Sequence, residues 1–510
     1  MMASVFPKTA NTTNGSNNMA IRLFGDRIYS DQSLYEYLIE FLLVFISPKD
    51  ADKELNAMAF HSEISKDLVY YVKPRMGLKR FIFYKRSKKD TQIPIDEKAY
   101  NEIIKILHKK LELGGIESNK AENTIAAIQD LFYGYAAVLK NRSWTAQSLL
   151  PIAPELIFCE AMIKKKERLK LSKNPNSSDE HVEMLFDFSR HNFMARGGEV
   201  YYLHILQALQ NCDSETRILL EALIKNLLTS NGENFSKLAN WIYDSWLEKQ
   251  DIAPDKLWQV KKLAFIPATG YIDCGKDTIF ELINFLSNDM HPITRIELLA
   301  KGVVLQIMRM MCRRTTEYLG CAASPWIVDL RSKKCGNTVM KISASSYRKV
   351  DELFISAINK MTRDHLDENG ENPNAPTPYE YLSKSKTHTL NMFKRLGKEM
   401  QLIIPLKGRY ERFSLSEDLV KFIVLSIIKP QEKMTFDMFL DEVYRHYNIV
   451  IGAKQYKECT NEVDLDAEQA SSFAFNELKF QDFLKDTGFL RDLSDATSIV
   501  ANPYTEVKIQ

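Results

Sequence analysis

Between Lys386 and Arg409 the chain places Lys386, Asn391, Lys394, Arg395, Lys398, Lys407 and Arg409, residue types that can contact a nucleic acid. Lysine and arginine neutralise phosphates, and an asparagine amide both donates and accepts, which matches a base edge. Asn391, Lys394, Arg395 and Lys398 recur at three- and four-residue steps and so share one helix face. Leu390, Phe393, Leu396 and Met400 follow the same spacing on another, apolar face. Lys407 and Arg409 flank Gly408 in a turn between short strands at 401–405 and 410–414. A plainer reading stands beside this one, because a basic helix face is commonly just a solvated one.

The elements around these residues are legible. Pro373, Pro376 and Pro378 break any helix before the basic stretch. After it, Ser416 caps an apolar helix over Leu419–Ile428, with Glu417 and Asp418 in its first turn. The order of one long amphipathic helix, basic hairpin and apolar helix is that of the recognition half of a winged helix, a module that also serves protein–protein docking. Further on, Met434–Tyr447 reads as a helix capped by Thr435, and Ser472–Thr487 as another, followed by strands at Phe489–Leu493 and Thr497–Ala501. This second helix–hairpin unit carries Glu477, Asp482, Asp486, Asp492 and Asp495, which turn it away from DNA.

Three other stretches invite chemistry. Lys73–Lys89 holds eight Lys or Arg and no acid, interleaved with Phe81, Phe83 and Tyr84. It is expected to be a strand whose Lys79, Arg80, Lys85 and Arg86 track a phosphate backbone while aromatics stack on bases. The alternative is a strand with a buried aromatic face and a solvated basic flank. His191 to Glu199 ends in Arg196-Gly197-Gly198, where free helix N–H groups would attract an anion. Close helix packing through the two glycines is the competing use. Met308, Met310 and Met311 read as core filling, beside Arg309, Arg313 and Arg314, which form either a basic ridge or a solvated face.

Composition restricts the rest. The 510 residues suggest several domains, and a formal net charge of +2 means that any basic surface is local. Seven scattered cysteines without a CxxC pair argue against disulfides and zinc knuckles and point to a reducing cytoplasm. Cys312, Cys321 and Cys335 read as buried thiols, so neither a metal nor a cofactor is expected. Leu38–Ile46, in a helix opened by Ser33 and Glu36, is too short to span a bilayer, so no membrane partner is expected. No hydrolase, kinase, P-loop or metalloprotease motif is present, and no small-molecule substrate is identified. Asp329 with Lys333 or Lys334 is the nearest approach to a metal nuclease.

The expected fold class is mainly α with small β-hairpins (α+β), a multi-helical body followed by winged-helix-like C-terminal units. The expected segments are a disordered N-terminus at 1–18, a mixed helical domain with a basic strand at 19–175 and a helical middle domain at 176–363. The acidic linker Asp364–Glu371 then leads to winged-helix-like units at 376–430 and 431–510. Trp326–Leu330 reads as a buried strand.

Three stretches, Asn141-Arg142-Ser143-Trp144-Thr145-Ala146-Gln147-Ser148, Arg196-Gly197-Gly198-Glu199, and Phe439-Leu440 through Gly452, carry a resemblance. In motif style the chain resembles large, mostly helical proteins encoded in bacterial anti-phage defence gene clusters, beside methylases, helicases or ATPases. The resemblance implies a bacterial cytoplasmic subunit acting with other defence proteins on invading DNA. The leading expectation is therefore a non-catalytic accessory subunit that binds or senses nucleic acid, DNA above all. A protein–protein scaffold that docks through its winged helices, and a nuclease whose site only the fold assembles, are the alternatives.

Overall fold

Apolar residues at helical spacing dominate the chain, and the protein, seen here as a computed structural model, is mostly helical with sheets of two or three short strands. It describes residues 5–8, 18–26, 28, 31–53, 55–62, 68–88, 94–139, 142–164, 186–188, 196–230, 232–250, 257–268, 272–330, 338–369, 376–494 and 497–509. In chain order the first helices are α1 (Met19–Phe24), α2 (Leu34–Ile46), α3 (Met76–Phe83), α4 (Pro94–Leu113), α5 (Ser118–Tyr133), α6 (Gly197–Leu209), α7 (Ser214–Thr229) and α8 (Glu233–Gln250). Then come α9 (Ile272–Leu286), α10 (Pro292–Leu319), α11 (Thr338–Asn369), α12 (Pro378–Thr387), α13 (Leu390–Glu399), α14 (Glu417–Ile427), α15 (Phe436–Tyr447), α16 (Ala453–Thr460) and α17 (Ala467–Asp486).

The strands are β1 (Val5–Phe6), β2 (Val69–Val72), β3 (Ala136–Val138), β4 (Ser148–Leu149), β5 (Met162–Ile163), β6 (Phe186–Asp187), β7 (Gln259–Lys262) and β8 (Ile266–Pro267). They continue with β9 (Trp326–Ile327), β10 (Ile403–Ile404), β11 (Arg412–Phe413), β12 (Lys433–Thr435), β13 (Ile449–Val450), β14 (Leu490–Ser494) and β15 (Thr497–Ala501). The chain divides into two compact units, each closed from separated stretches. One comprises Met1–Leu34, Val200–Ile224 and Ala264–Gln510, the other Tyr35–Glu199 and Lys225–Leu263.

The smaller unit packs α3 against α4, α5 and α8, with antiparallel pairs β2–β7, β3–β4 and β5–β6. Here the expected basic strand is overturned. Met76–Phe83 is a helix, continued by a tight turn at Tyr84–Arg86, and every residue of α3 is buried. Burial outweighs local alternation because the two central cations find partners from elsewhere in the chain. The Lys79 ammonium donates to the carbonyls of Thr145 at 2.6 Å and Cys159 at 3.2 Å. Burial pushes its pKa down to about 8. Arg80 donates through Nε and a terminal nitrogen to Asp96 Oδ1 at 3.1 and 3.0 Å, and its guanidinium lies over the Trp144 ring.

The larger unit is built round α10, whose 28 residues are largely buried; Met308, Met310 and Met311 fill its core. Arg309 and Arg314 are buried too, so they form neither a ridge nor a solvated face. Arg309 donates to Glu281 at 2.5 Å, to the His446 carbonyl and to Thr278, while Arg314 donates to the Leu23 carbonyl. α10 packs on α11 and α14, and α14 packs on α9 and α15. β9 pairs in parallel with β13, and β15 lies between β12 and β14 in one antiparallel sheet.

Other expectations shift. The acidic stretch at 364–369 belongs to α11 and is not a linker; Tyr318 donates to Asp364, and the His365 ring meets Tyr381 edge-on. The remainder of that stretch, 370–371, lies outside the described residues. Of the N-terminal stretch expected to be disordered, Val5–Phe6 pairs with β8, and Asn18 accepts from the Ala20 N–H to cap α1. Most of the remainder lies outside the described residues. Among the described residues no helix is long and apolar enough to cross a membrane.

Gly77 is required where α3 meets α8, because a Cβ there would overlap the Trp246 ring. Gly77→Ala should therefore lower the urea midpoint, with overpacking costing about 1–3 kcal/mol despite the better helix propensity of alanine.

Candidate nucleic-acid interface

The basic residues between 386 and 412 lie on two short helices and a hairpin. Thr377 and Glu380 form a capping box at the start of α12, with Pro378 in the first turn. The expected long helix is broken at His388–Thr389, where the Thr389 hydroxyl donates to the Ser385 carbonyl at 2.9 Å. α13 then buries Met392, Phe393 and Leu396, and the Phe393 ring meets Trp326 and Phe354 edge-on.

From Gln401 the chain reverses into β10, paired with β11 in the register Ile403↔Phe413 and Ile404↔Arg412. The hairpin base is firmly held. Phe413 stacks on Trp326 at 5.4 Å, its N–H donates to Ser343 Oγ at 3.0 Å, and its carbonyl accepts from Asp329 N–H at 3.0 Å. Arg412 donates to the buried Asp329 carboxylate at 2.8 Å. That contact gives Asp329 a structural partner; Lys333 and Lys334 lie outside the described residues. Ser416 caps α14 as its position suggests, accepting from Leu419 N–H.

The basic helix face is largely neutralised from within. Glu411, just before β11, accepts from Lys394 at 2.5 Å and from Lys398 at 3.1 Å. Burial works against ionisation of Glu411, but the two lysines and its own backbone N–H carry its pKa down from 4.5 to about 2. Arg395 donates to the Asp31 carbonyl at 3.1 Å. Asn391 is exposed and Lys386 half-buried. At the tip, Leu406, Lys407, Gly408, Arg409 and Tyr410 are all exposed, and Gly408 and Tyr410 are left-handed at φ 106° and 69°. Among the described residues neither Lys407 nor Arg409 is held in an ion pair. Of the predicted face, then, the tip presents free charge and α13 presents shared charge. Glu411 stood in the sequence but was not foreseen as the counter-charge, since its reach to α13 depends on the hairpin folding back.

In the other unit the predicted contacts fare differently. Lys79 and Arg80 are interior, as described above, and cannot meet a phosphate at the surface. Lys85 pairs with Glu97 at 3.3 Å, and Arg86 pairs with Asp130 and lies over the Tyr133 ring. Surface pairs of this kind are weak and exchangeable.

The suggested anion site at Arg196-Gly197-Gly198 is filled by the protein itself. Glu40 of α2 accepts from Arg196 N–H at 3.0 Å and from Gly198 N–H at 2.5 Å, in the place an anion would take at the start of α6. Burial and the neighbouring Glu199 push the Glu40 pKa up to about 8 against these hydrogen bonds. A Cβ on Gly198 would lie 2.5 Å from the Phe41 nitrogen and the Tyr37 carbonyl, so the glycine serves close helix approach. One turn earlier on α2, Glu36 pairs with the buried Arg142, whose carbonyl accepts from Gln147 at 3.0 Å. The motifs around Arg142 and Gly198 are thus joined to one helix by its two acids. His191 lies outside the described residues.

Among the described residues no group of three His, Cys, Asp or Glu side chains could hold a metal ion, and Cys335 lies outside them. No family model, curated protein or solved structure matches the chain.

The Glu411 pKa lies below its unfolded value, so the stabilisation is complete above 4.5 and is lost as pH falls towards about 2. Glu411→Gln should cost roughly 1–2 kcal/mol at neutral pH, discounted because Lys394 is nearly half exposed. The difference from wild type should vanish in urea titrations near pH 2.

Proposed function

We propose that this protein is a non-catalytic subunit that binds or senses DNA through the β10–β11 tip and the adjoining face of α13. Its setting in this reading is bacterial defence against phage, with partner proteins supplying the chemistry. The observation that carries the reading is the exposed Leu406–Tyr410 tip with its two unpaired cations, Lys407 and Arg409, on a hairpin fixed at its base. Phosphate recognition needs such charge in solvent, ready to displace counterions. Lys394 and Lys398 add to it, since a phosphate can compete with Glu411 for them. Asn391, exposed on the same helix, supplies an amide for a base edge.

The wiring after this hairpin supports a second use. α14, β12, α15, β13, α16 and α17 precede the β14–β15 hairpin, and β15 lies between β12 and β14, an order that supports the reading of a winged-helix-like unit here. Its last helix, α17, exposes Phe475 and Leu478 beside Glu468, Lys479 and Asp482. That mixture suits docking of a protein partner better than contact with phosphates.

The test is fluorescence anisotropy of a labelled duplex with the full chain at about 50 and 200 mM salt, where phosphate contacts produce a steep loss of affinity. Lys407→Glu with Arg409→Glu should abolish binding, or reduce the salt slope by about two. Lys85→Glu with Arg86→Glu should leave it unchanged. Absence of binding at the lower salt, both to the duplex and to a single strand of the same sequence, overturns the proposal.

A further inference from the structure

Tyr410 is 86% exposed and Tyr379 77%, while Tyr201, Tyr243 and Tyr447 are buried; of the two exposed tyrosines only Tyr410 stands on the hairpin tip between β10 and β11. Among the described residues no hydrogen bond, ring contact or ion pair reaches its side chain. Its backbone is left-handed, a region that a bulky residue occupies at an energetic cost. The next residue, Glu411, is pinned by two lysines, and Arg412 and Phe413 are anchored beyond it. The ring is therefore held away from the core by a fixed base, with Arg409 beside it and Lys407 three residues before it.

An aromatic face beside cations is the surface on which single-stranded bases stack while the charges follow the backbone. Inside a duplex, base faces are covered by their neighbours and offer Tyr410 nothing to stack on. We infer that the Leu406–Tyr410 tip recognises unpaired bases, in single strands, gaps or frayed ends, with Tyr410 as the stacking platform. The inference rests on the DNA-binding reading and narrows it from DNA in general to DNA with exposed bases. Charge favours this occupant over a protein, because the tip carries two free cations and no acid between Leu406 and Tyr410.

The experiment compares three labelled probes of one sequence with the full chain: a single strand, a blunt duplex and a duplex with a short gap. A 2-aminopurine in the single strand reports stacking. Wild type should bind the single strand and the gapped duplex about tenfold more tightly than the blunt duplex, and should change the 2-aminopurine signal. Tyr410→Asn keeps a residue suited to the left-handed backbone and removes the ring; it should lose both the preference among the probes and the signal. Tyr410→Trp should retain both. If Tyr410→Asn leaves the ratio between probes unchanged, the inference fails while the DNA-binding reading stands. If wild type binds none of the probes, the DNA-binding reading itself fails.

Discussion

An ion moved from water into a protein interior costs several kcal/mol unless a partner and further hydrogen bonds meet it. This chain carries many ions inward. Lys79 is met by two carbonyls, Arg80 by Asp96, Arg142 by Glu36, Arg309 by Glu281, and Arg412 by Asp329. Each pairing settles which cations are structural. The formal net charge of +2 conceals that sorting. Lys407 and Arg409 stay in solvent on a loop tip, where among the described residues neither is held in an ion pair.

The same rule explains the polar knots that tie elements together. Glu281 of α9 receives Arg309 and Gln306 from α10, and His446 of α15 sits 2.9 Å away. Burial alone would raise its pKa, but Arg309 and His446 hold the carboxyl below its ordinary range. Asn476 of α17 serves the short strands in a comparable way, donating to the carbonyls of Val328 and Ile451 and accepting from Leu330 N–H. Strands of two residues cannot satisfy their own ends, and a buried amide does it for them.

Local signals were legible and non-local ones were not. Caps at Ser416 and Thr435, the turn at Gly408, the strand at Trp326 and the final hairpin are written within a few residues and occur where expected. Lys73–Lys89 misled because the partners that let α3 fold inward lie at Asp96, Thr145 and Cys159, beyond any local window. The acidic run at 364–369 read as a linker, but it continues α11, held by Tyr318 on Asp364 and by the His365 ring against Tyr381, residues outside the run itself. The break at His388–Thr389 has no glycine or proline to announce it. The candidate interface was half legible for the same reason: residue types and their helix face could be read, but not the fold-back that sets Glu411 against Lys394 and Lys398.

The interleaving of the two units bears on the order in which the chain can fold as it leaves the ribosome. All residues of the smaller unit have been made once Leu263 has emerged, so that unit can close early. The larger unit needs its first 34 residues together with stretches that follow Ala264, so α1 must wait through most of synthesis for α10, α11 and α12. Until then the apolar face of α1 (Ile21, Leu23 and Phe24 are all buried in the finished protein) lacks its cover. Over that interval these apolar residues are the kind of exposed surface that aggregates or is met by chaperones.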